Sequence, residues 1–117
     1  MGRLTTHVLD TTHGCPGKGI HVELYRLEDG RLTLIAGAQT NEDGRCNAPL
    51  LEGEGYRSGV YQLHFHAGDY FRARGFGLGE PAFLDVVVLR FGIDAEQDHY
   101  HVPLLISPHS YSTYRGS

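Results

Sequence analysis

The stretch GVYQLHFHA, Gly59–Ala67, alternates strictly between apolar and polar side chains. Tyr61, Leu63 and Phe65 occupy one set of alternate positions, and a glutamine and two histidines occupy the other. Successive side chains of a β-strand point to opposite faces, so this period of two predicts a strand with one buried face and one polar face. Similar short stretches recur along the chain.

Alternation and turn residues divide the sequence into about eight such segments, at spacings typical of a β-sandwich or barrel. The second and third segments are separated by EDG, a turn signal that predicts a hairpin. We find neither a linker nor a repeat, so we expect a single all-β domain over residues 1–117. The predicted strands are Leu4–Asp10, Ile20–Leu27, Arg31–Ala38, a short piece around Arg45, Gly59–Ala67, Phe83–Gly92, HYHVPLLIS and HSYSTYRGS.

One segment has the character of a helix instead. Asp69 is a suitable N-cap for one or two helical turns over Tyr70–Arg74, and Gly75 or Gly77 is suited to close them. The following run, Phe83–Gly92, is almost continuously apolar, which predicts a strand covered on both faces.

The charge balance excludes several kinds of partner. The chain has 14 acidic and 10 basic residues and a formal net charge of −4, so it offers no basic surface for nucleic acid or for anionic membranes. It has neither an apolar leader after the first residues nor an apolar run of membrane-spanning length. We therefore expect a cytoplasmic protein in which Cys15 and Cys46 are reduced, although the sequence leaves a single disulfide open.

The histidine content points towards chemistry, since eight of the 117 residues are histidines. His64 and His66 share one face of a predicted strand, and so do His99 and His101. Together the two pairs offer four nitrogens, the number that a tetrahedral zinc site needs. Solvent-facing polar alternation explains the same pattern without a metal, and we favour that interpretation.

Other candidates are weaker when taken from the residues alone. His7 lies in the first strand and Arg45 follows an Asp-Gly turn, and both are ordinary surface positions. Ser117, His101 and Asp98 supply the residue types of a hydrolytic triad, but no nucleophile-elbow motif accompanies them. Residue types and spacing thus leave the reaction open.

Four separated stretches nevertheless resemble one family in the same order. They are HVLDTTHGCPG, TNEDGRCNAPLL, HYHVPLLISP and the final YSTYRGS. Together they make the chain similar to the 5-hydroxyisourate hydrolases, the transthyretin-related enzymes of urate breakdown, over essentially its whole length. The terminal Tyr-Arg-Gly-Ser is the most specific element, because it distinguishes these hydrolases from transthyretin, the hormone carrier of the same fold.

The resemblance implies a transthyretin-like sandwich of two sheets and about eight strands, with one short helix after the fifth. It also implies a homotetramer, a dimer of dimers, whose central channel carries the active sites. The implied reaction is hydrolysis of 5-hydroxyisourate, a purine-derived small molecule, to 2-oxo-4-hydroxy-4-carboxy-5-ureidoimidazoline.

Site residues follow from the resemblance by motif position. The implied catalytic set is His7, Arg45 and His101, and the implied substrate-binding set is Tyr114, Arg115, Gly116 and Ser117. His101 is preferred to His99 because it directly precedes the VPLL run. An imidazole can accept a proton from water at neutral pH, whereas a guanidinium stays charged and suits substrate binding. We expect His7 to act as the base with assistance from His101, and no metal or cofactor.

Two alternatives remain at this stage. A transthyretin-like carrier would keep the sandwich and bind a small molecule without catalysis. A zinc-dependent hydrolase would use the two HxH pairs.

Overall fold

The computed structural model describes residues 2–116 and shows two β-sheets packed face to face. Within these residues there are nine strands and one α-helix. Two of the strands contain only two residues each, so the architecture agrees with the predicted sandwich of about eight strands and one helix. The strands are β1 Arg3–Asp10, β2 Cys15–Pro16, β3 His21–Glu28, β4 Arg31–Gln39, β5 Leu51–Glu52, β6 Gly59–Phe65, β7 Val87–Ile93, β8 His99–Ile106 and β9 Tyr111–Thr113, and the helix is α1 Ala67–Ala73.

The first sheet has the strand order β2-β1-β8-β9, and β5 also pairs with β1. Strands β1 and β8 run parallel, with Thr5 opposite His101 and His7 opposite Pro103. The second sheet has the order β4-β3-β6-β7 and is entirely antiparallel. The predicted hairpin is confirmed, since β3 and β4 are joined at Asp29 and Gly30, both with positive φ.

Alternation places the core between the sheets. In β1, Leu4 and Val8 are fully buried, and in β6, Leu63 and Phe65 are fully buried. The intervening odd positions of β1 face outwards, which is the feature that creates the candidate site. The chain has no described helix long and apolar enough to span a bilayer.

The helix begins three residues earlier than the sequence indicated. His66 occupies the N-cap position, and Asp69 lies inside the first turn, where its carboxylate accepts a hydrogen bond from Arg72 at 3.0 Å. The prediction of Asp69 as the N-cap was therefore wrong. Gly75 follows the helix with φ of +92°, so glycine closes it as expected.

The predicted strand Phe83–Gly92 was also partly wrong, because β7 begins at Val87. The carbonyl of Asp85 instead accepts a hydrogen bond of 2.8 Å from the Gly68 N–H of α1. β7 is an edge strand, and Val88 on its outer face is 42% exposed, so the apolar run is covered on one face only.

Candidate active site

A cavity of about 570 Å³ opens on the outward face of the five-stranded sheet. Its volume lies within the range typical of small-molecule sites, roughly 300–1,000 Å³. Its wall includes Thr5, His7, Arg45, His99, His101 and Tyr114. The structure thus brings together residues that are far apart in the sequence.

Parallel pairing of β1 with β8 places the two candidate histidines side by side. His7 and His101 both lie at odd positions of these strands, whose even positions fill the core. Their ring centroids are 6.5 Å apart, and the ring planes are inclined by 37°. Both imidazoles therefore line the same cavity, close enough to contact one small substrate.

Arg45 reaches the cavity because a tight loop ties it to β1. The Asn41 side-chain oxygen accepts hydrogen bonds from the N–H groups of Asp43 and Arg45, at 2.9 and 3.2 Å. The carbonyl of Gly44 accepts a 2.8 Å hydrogen bond from the Val8 N–H. Only glycine fits at position 44, because its φ is +76° and a Cβ atom would lie 2.3 Å from the Val8 carbonyl oxygen.

The C-terminal residues close one side of the cavity. The Gly116 N–H donates a 2.8 Å hydrogen bond to the His101 carbonyl. A Cβ atom at position 116 would lie 2.7 Å from Cδ2 of the His101 ring, so a glycine lets the chain lie against that ring. Tyr114 lines the cavity and is 62% exposed. Ser117 lies outside the described residues.

Arg115 is placed differently from its neighbours. Its guanidinium carbon lies 4.0 Å from the centre of the Tyr100 ring, and a terminal nitrogen donates to the His99 carbonyl at 3.5 Å. It lines a separate hollow between the edges of β7 and β9. This position suits a residue that anchors the tail, and substrate binding by Arg115 stays a prediction.

Thr5 joins the two histidines of β8 and was not singled out from the sequence. Its hydroxyl oxygen lies 2.8 Å from His101 Nδ1 and 3.2 Å from His99 Nε2. Arg3 Nε lies 3.3 Å from His99 Nδ1. The signal was available, because Thr5 shares the outward face of β1 with His7.

The direction of each hydrogen bond in this network follows from Arg3, because an arginine side chain can only donate. Nδ1 of neutral His99 therefore accepts, and its Nε2–H donates to the Thr5 oxygen. The Thr5 hydroxyl proton then goes to His101 Nδ1, which leaves neutral His101 with its proton on Nε2. A neutral imidazole in this tautomer presents an N–H donor at the nitrogen that the network does not use.

Burial lowers the pKa of both His7 and His101, and the positive charge of Arg45 lowers both further. The backbone and carboxylate of Asp43 oppose the effect at His7. Neighbouring His7 and His99 add to the lowering at His101. Since both pKa values lie below the ordinary 6.5, both rings are predominantly neutral at pH 7.

The shared zinc site considered from the sequence is wrong, because the two HxH pairs lie in different sheets. His64 belongs to β6 of the four-stranded sheet and His66 directly follows that strand, whereas His99 and His101 belong to β8 of the five-stranded sheet. The outward faces of a sandwich point in opposite directions. Four nitrogens from these pairs therefore cannot meet at one ion.

Comparisons with known proteins agree with this architecture. The family model described as the HIUase/Transthyretin family matches residues 4–116. A 5-hydroxyisourate hydrolase from Pseudomonas aeruginosa is 72% identical, with 100% of this chain and 93% of the relative covered. The structure of Klebsiella pneumoniae 5-hydroxyisourate hydrolase has a TM-score of 0.82 and 34% identity, and the match covers 100% of each chain.

A transthyretin is also similar in shape. Sea bream transthyretin, solved in complex with thyroxine, has a TM-score of 0.88 and 28% identity, with 97% of this chain and 94% of that chain covered. The two-sheet sandwich is therefore shared by a hydrolase and a transthyretin that binds thyroxine, and the fold alone does not separate them. The family match, the full-length relatives and the shared sandwich lead to one conclusion: this chain belongs to the HIUase/transthyretin family.

Proposed function

We propose that this chain hydrolyses 5-hydroxyisourate by opening its six-membered ring. The observation that carries the proposal is the meeting of two neutral histidines and an arginine in one cavity, in a chain with full-length relatives named 5-hydroxyisourate hydrolase. The carrier alternative keeps the same sandwich but needs no such set of proton-transfer groups.

His7 is the proposed general base. It is neutral at pH 7 and sits against the charged Arg45 loop, so it can accept a proton from water as the water oxygen attacks the ring carbonyl carbon. General base catalysis of this kind typically contributes about 10²–10⁴-fold. The new C–O bond forms while the C–N bond of the ring breaks.

His101 is the proposed donor to the leaving nitrogen. The Arg3–His99–Thr5 network holds the proton of His101 on Nε2, away from the hydroxyl of Thr5. When the C–N bond breaks, the proton that His7 took from water passes to the departing nitrogen, and the Nε2–H of His101 donates a hydrogen bond to that nitrogen. Both imidazoles are then neutral again, and one water molecule has been consumed.

Arg45 is the proposed electrostatic element. Its guanidinium carries a permanent charge and five N–H donors, which suit the carbonyl oxygens of an oxidised purine. Negative charge that develops on the attacked carbonyl oxygen is stabilised by such a preorganised donor. Tyr114 and Gly116 line the cavity, and Arg115 fixes the tail through Tyr100. Substrate binding by Tyr114, Gly116 and Ser117 is part of the proposal.

We also propose a homotetramer, a dimer of dimers located in the cytoplasm. The cavity lies on an outward sheet face that also carries exposed Leu9, and a second copy facing it would shield the cavity from bulk solvent. Light scattering should give the mass of four chains. A fully active monomer would contradict the shared channel.

The reaction as proposed uses the side chains alone, with no metal or cofactor. The decisive experiment follows the ultraviolet absorbance of freshly generated 5-hydroxyisourate with and without the purified protein. His7→Ala, Arg45→Ala and His101→Ala should each lower turnover strongly, and His99→Ala should lower it less. Saturable binding without accelerated decay would support the carrier instead.

A further inference from the structure

A second group of histidines lies on the opposite sheet, away from the cavity. His21 and Glu23 are at alternate positions of β3, and His66 directly follows β6. The His66 N–H donates to the His21 carbonyl at 3.0 Å, which sets the two residues opposite each other. The neighbouring residues Val22 and Phe65 are fully buried, so the three side chains share the outward face.

These side chains already converge to ligand-like distances. One ligand atom from each of His21, Glu23 and His66 lies within 4.8 Å of the other two. Glu23 Oε1 is 2.8 Å from His66 Nε2, and Glu23 Oε2 is 3.6 Å from His21 Nε2. Ligand atoms on a tetrahedral zinc ion, at about 2.0–2.2 Å from the metal, lie roughly 3.3–3.6 Å from one another. Small side-chain rotations therefore suffice to bring all three onto one ion.

The donor types favour a particular class of metal. Two imidazoles and one carboxylate form a nitrogen-rich set of the kind that binds zinc and neighbouring divalent transition metals, rather than calcium or magnesium.

An outer carboxylate supports one of the imidazoles. Asp69 Oδ2 lies 3.9 Å from His66 Nδ1, on the side of the ring remote from Glu23. Histidine ligands usually donate their second N–H to a carboxylate, which fixes the ring. This separation is longer than a hydrogen bond, so a small rotation of the Asp69 side chain is needed to complete the contact when an ion binds.

Two cationic side chains line the surface hollow that contains His21 and His66, but each interacts with another residue. Lys18 pairs with Glu42 at 3.5 Å, and Arg74 lies against the Tyr70 ring with its guanidinium carbon 5.7 Å from the ring centre. Neither cation is paired with Glu23, and water can supply the fourth ligand of a tetrahedral ion.

We propose that His21, Glu23 and His66 form a binding site for one divalent transition-metal ion of the zinc type, separate from the catalytic cavity. The ion would join β3 to the start of α1, because His66 is the residue from which the helix begins. The site is structural, since the catalytic residues lie on the other sheet.

The test uses zinc ion alone, titrated calorimetrically into the chelator-treated protein in a non-coordinating buffer. To exclude the cavity histidines, the titration is repeated with His101→Gln. We expect one zinc per chain in the wild type and in His101→Gln, and loss of that binding in His21→Gln/His66→Gln. Asp69→Asn should weaken binding by roughly 10–100-fold, the usual effect of removing an outer carboxylate.

A matched control is His64→Gln, which changes a histidine on the same outward face and should keep the zinc. One equivalent of zinc should also raise the melting temperature of the wild type but not that of His21→Gln/His66→Gln, while wild-type turnover stays the same with and without zinc. Zinc binding that survives in His21→Gln/His66→Gln, or that disappears in His101→Gln, would overturn the proposal.

Discussion

Replacing Thr5 with valine tests the hydrogen-bonded network that orients His101. Thr5→Val keeps the shape of a β-branched side chain in a strand but removes the hydroxyl that lies 2.8 Å from His101 Nδ1 and 3.2 Å from His99 Nε2. Each of these hydrogen bonds contributes about 0.5–1.5 kcal/mol net. Without them the His101 ring is free to change tautomer and to rotate.

We expect the removal of these hydrogen bonds to weaken stabilisation of the transition state rather than binding of the substrate. If the two hydrogen bonds together contribute about 1–2 kcal/mol to stabilising the transition state, their loss lowers kcat by a factor of about 5–30. KM should change little, because the ring is altered rather than the substrate-binding groups. The assay is the initial rate of ultraviolet decay of 5-hydroxyisourate over a range of substrate concentrations.

Two matched variants separate positioning from stability. Thr5→Ser restores a hydroxyl and should recover most of the lost kcat. Thr6→Val removes the neighbouring hydroxyl, which donates to the buried Val102 carbonyl at 2.7 Å, and should lower the melting temperature while sparing kcat of the folded enzyme. A Thr5→Val protein with wild-type kcat would refute the network argument.

Further predictions concern the tail and the histidine pKa values. Gly116→Ala should lower kcat by displacing the His101 ring, with little change in melting temperature; unchanged kcat would contradict the steric argument. By nuclear magnetic resonance, His7 and His101 should titrate below pH 6.5 in the wild type, and higher in Arg45→Gln because that charge lowers both pKa values; no upward shift would be the contrary result. A histidine whose pKa is lower in the folded than in the unfolded state binds its proton more weakly when folded. The free energy of unfolding should therefore be highest above the unfolded pKa of about 6.5 and should decrease as the pH falls from there through the folded pKa. A tag after Ser117 should reduce turnover far more than a tag before Met1, and equal turnover would make the tail dispensable.

Much of the sandwich was predictable because strand alternation is a local property. The pattern around Leu63 and Phe65 gave the correct inward face, and the turn at Gly30 gave the correct hairpin. The helix start was misplaced because Asp69 has the chemistry of a cap, whereas pairing of Gly68 with Asp85 extends the helix backwards. Such a tertiary contact leaves no mark in the local sequence.

The site was harder to predict for the same reason. Residue types gave the histidines, and the family resemblance identified His7, Arg45 and His101 as the set to examine. Neither indicated that the two HxH pairs face opposite sides of the molecule, since this depends on which sheet each strand joins. Alternation did place Thr5 on the same face as His7, but its hydrogen bond to His101 depends on parallel pairing with a strand 96 residues away.

The parallel pairing of β1 with β8 also has a consequence for how the protein matures. Thr5 and His101 are separated by 96 residues, so their contact closes nearly the longest loop that the chain allows. Contacts of such high sequence separation form slowly, because loop-closure entropy must be overcome before they contribute any stability. During synthesis, β1 leaves the ribosome long before β8 has been made, and the edge of β1 that pairs with β8 stays unpaired until then. Catalytic competence is therefore among the last properties that the nascent chain acquires, and any premature stop before β8 yields a polypeptide that lacks half of the site.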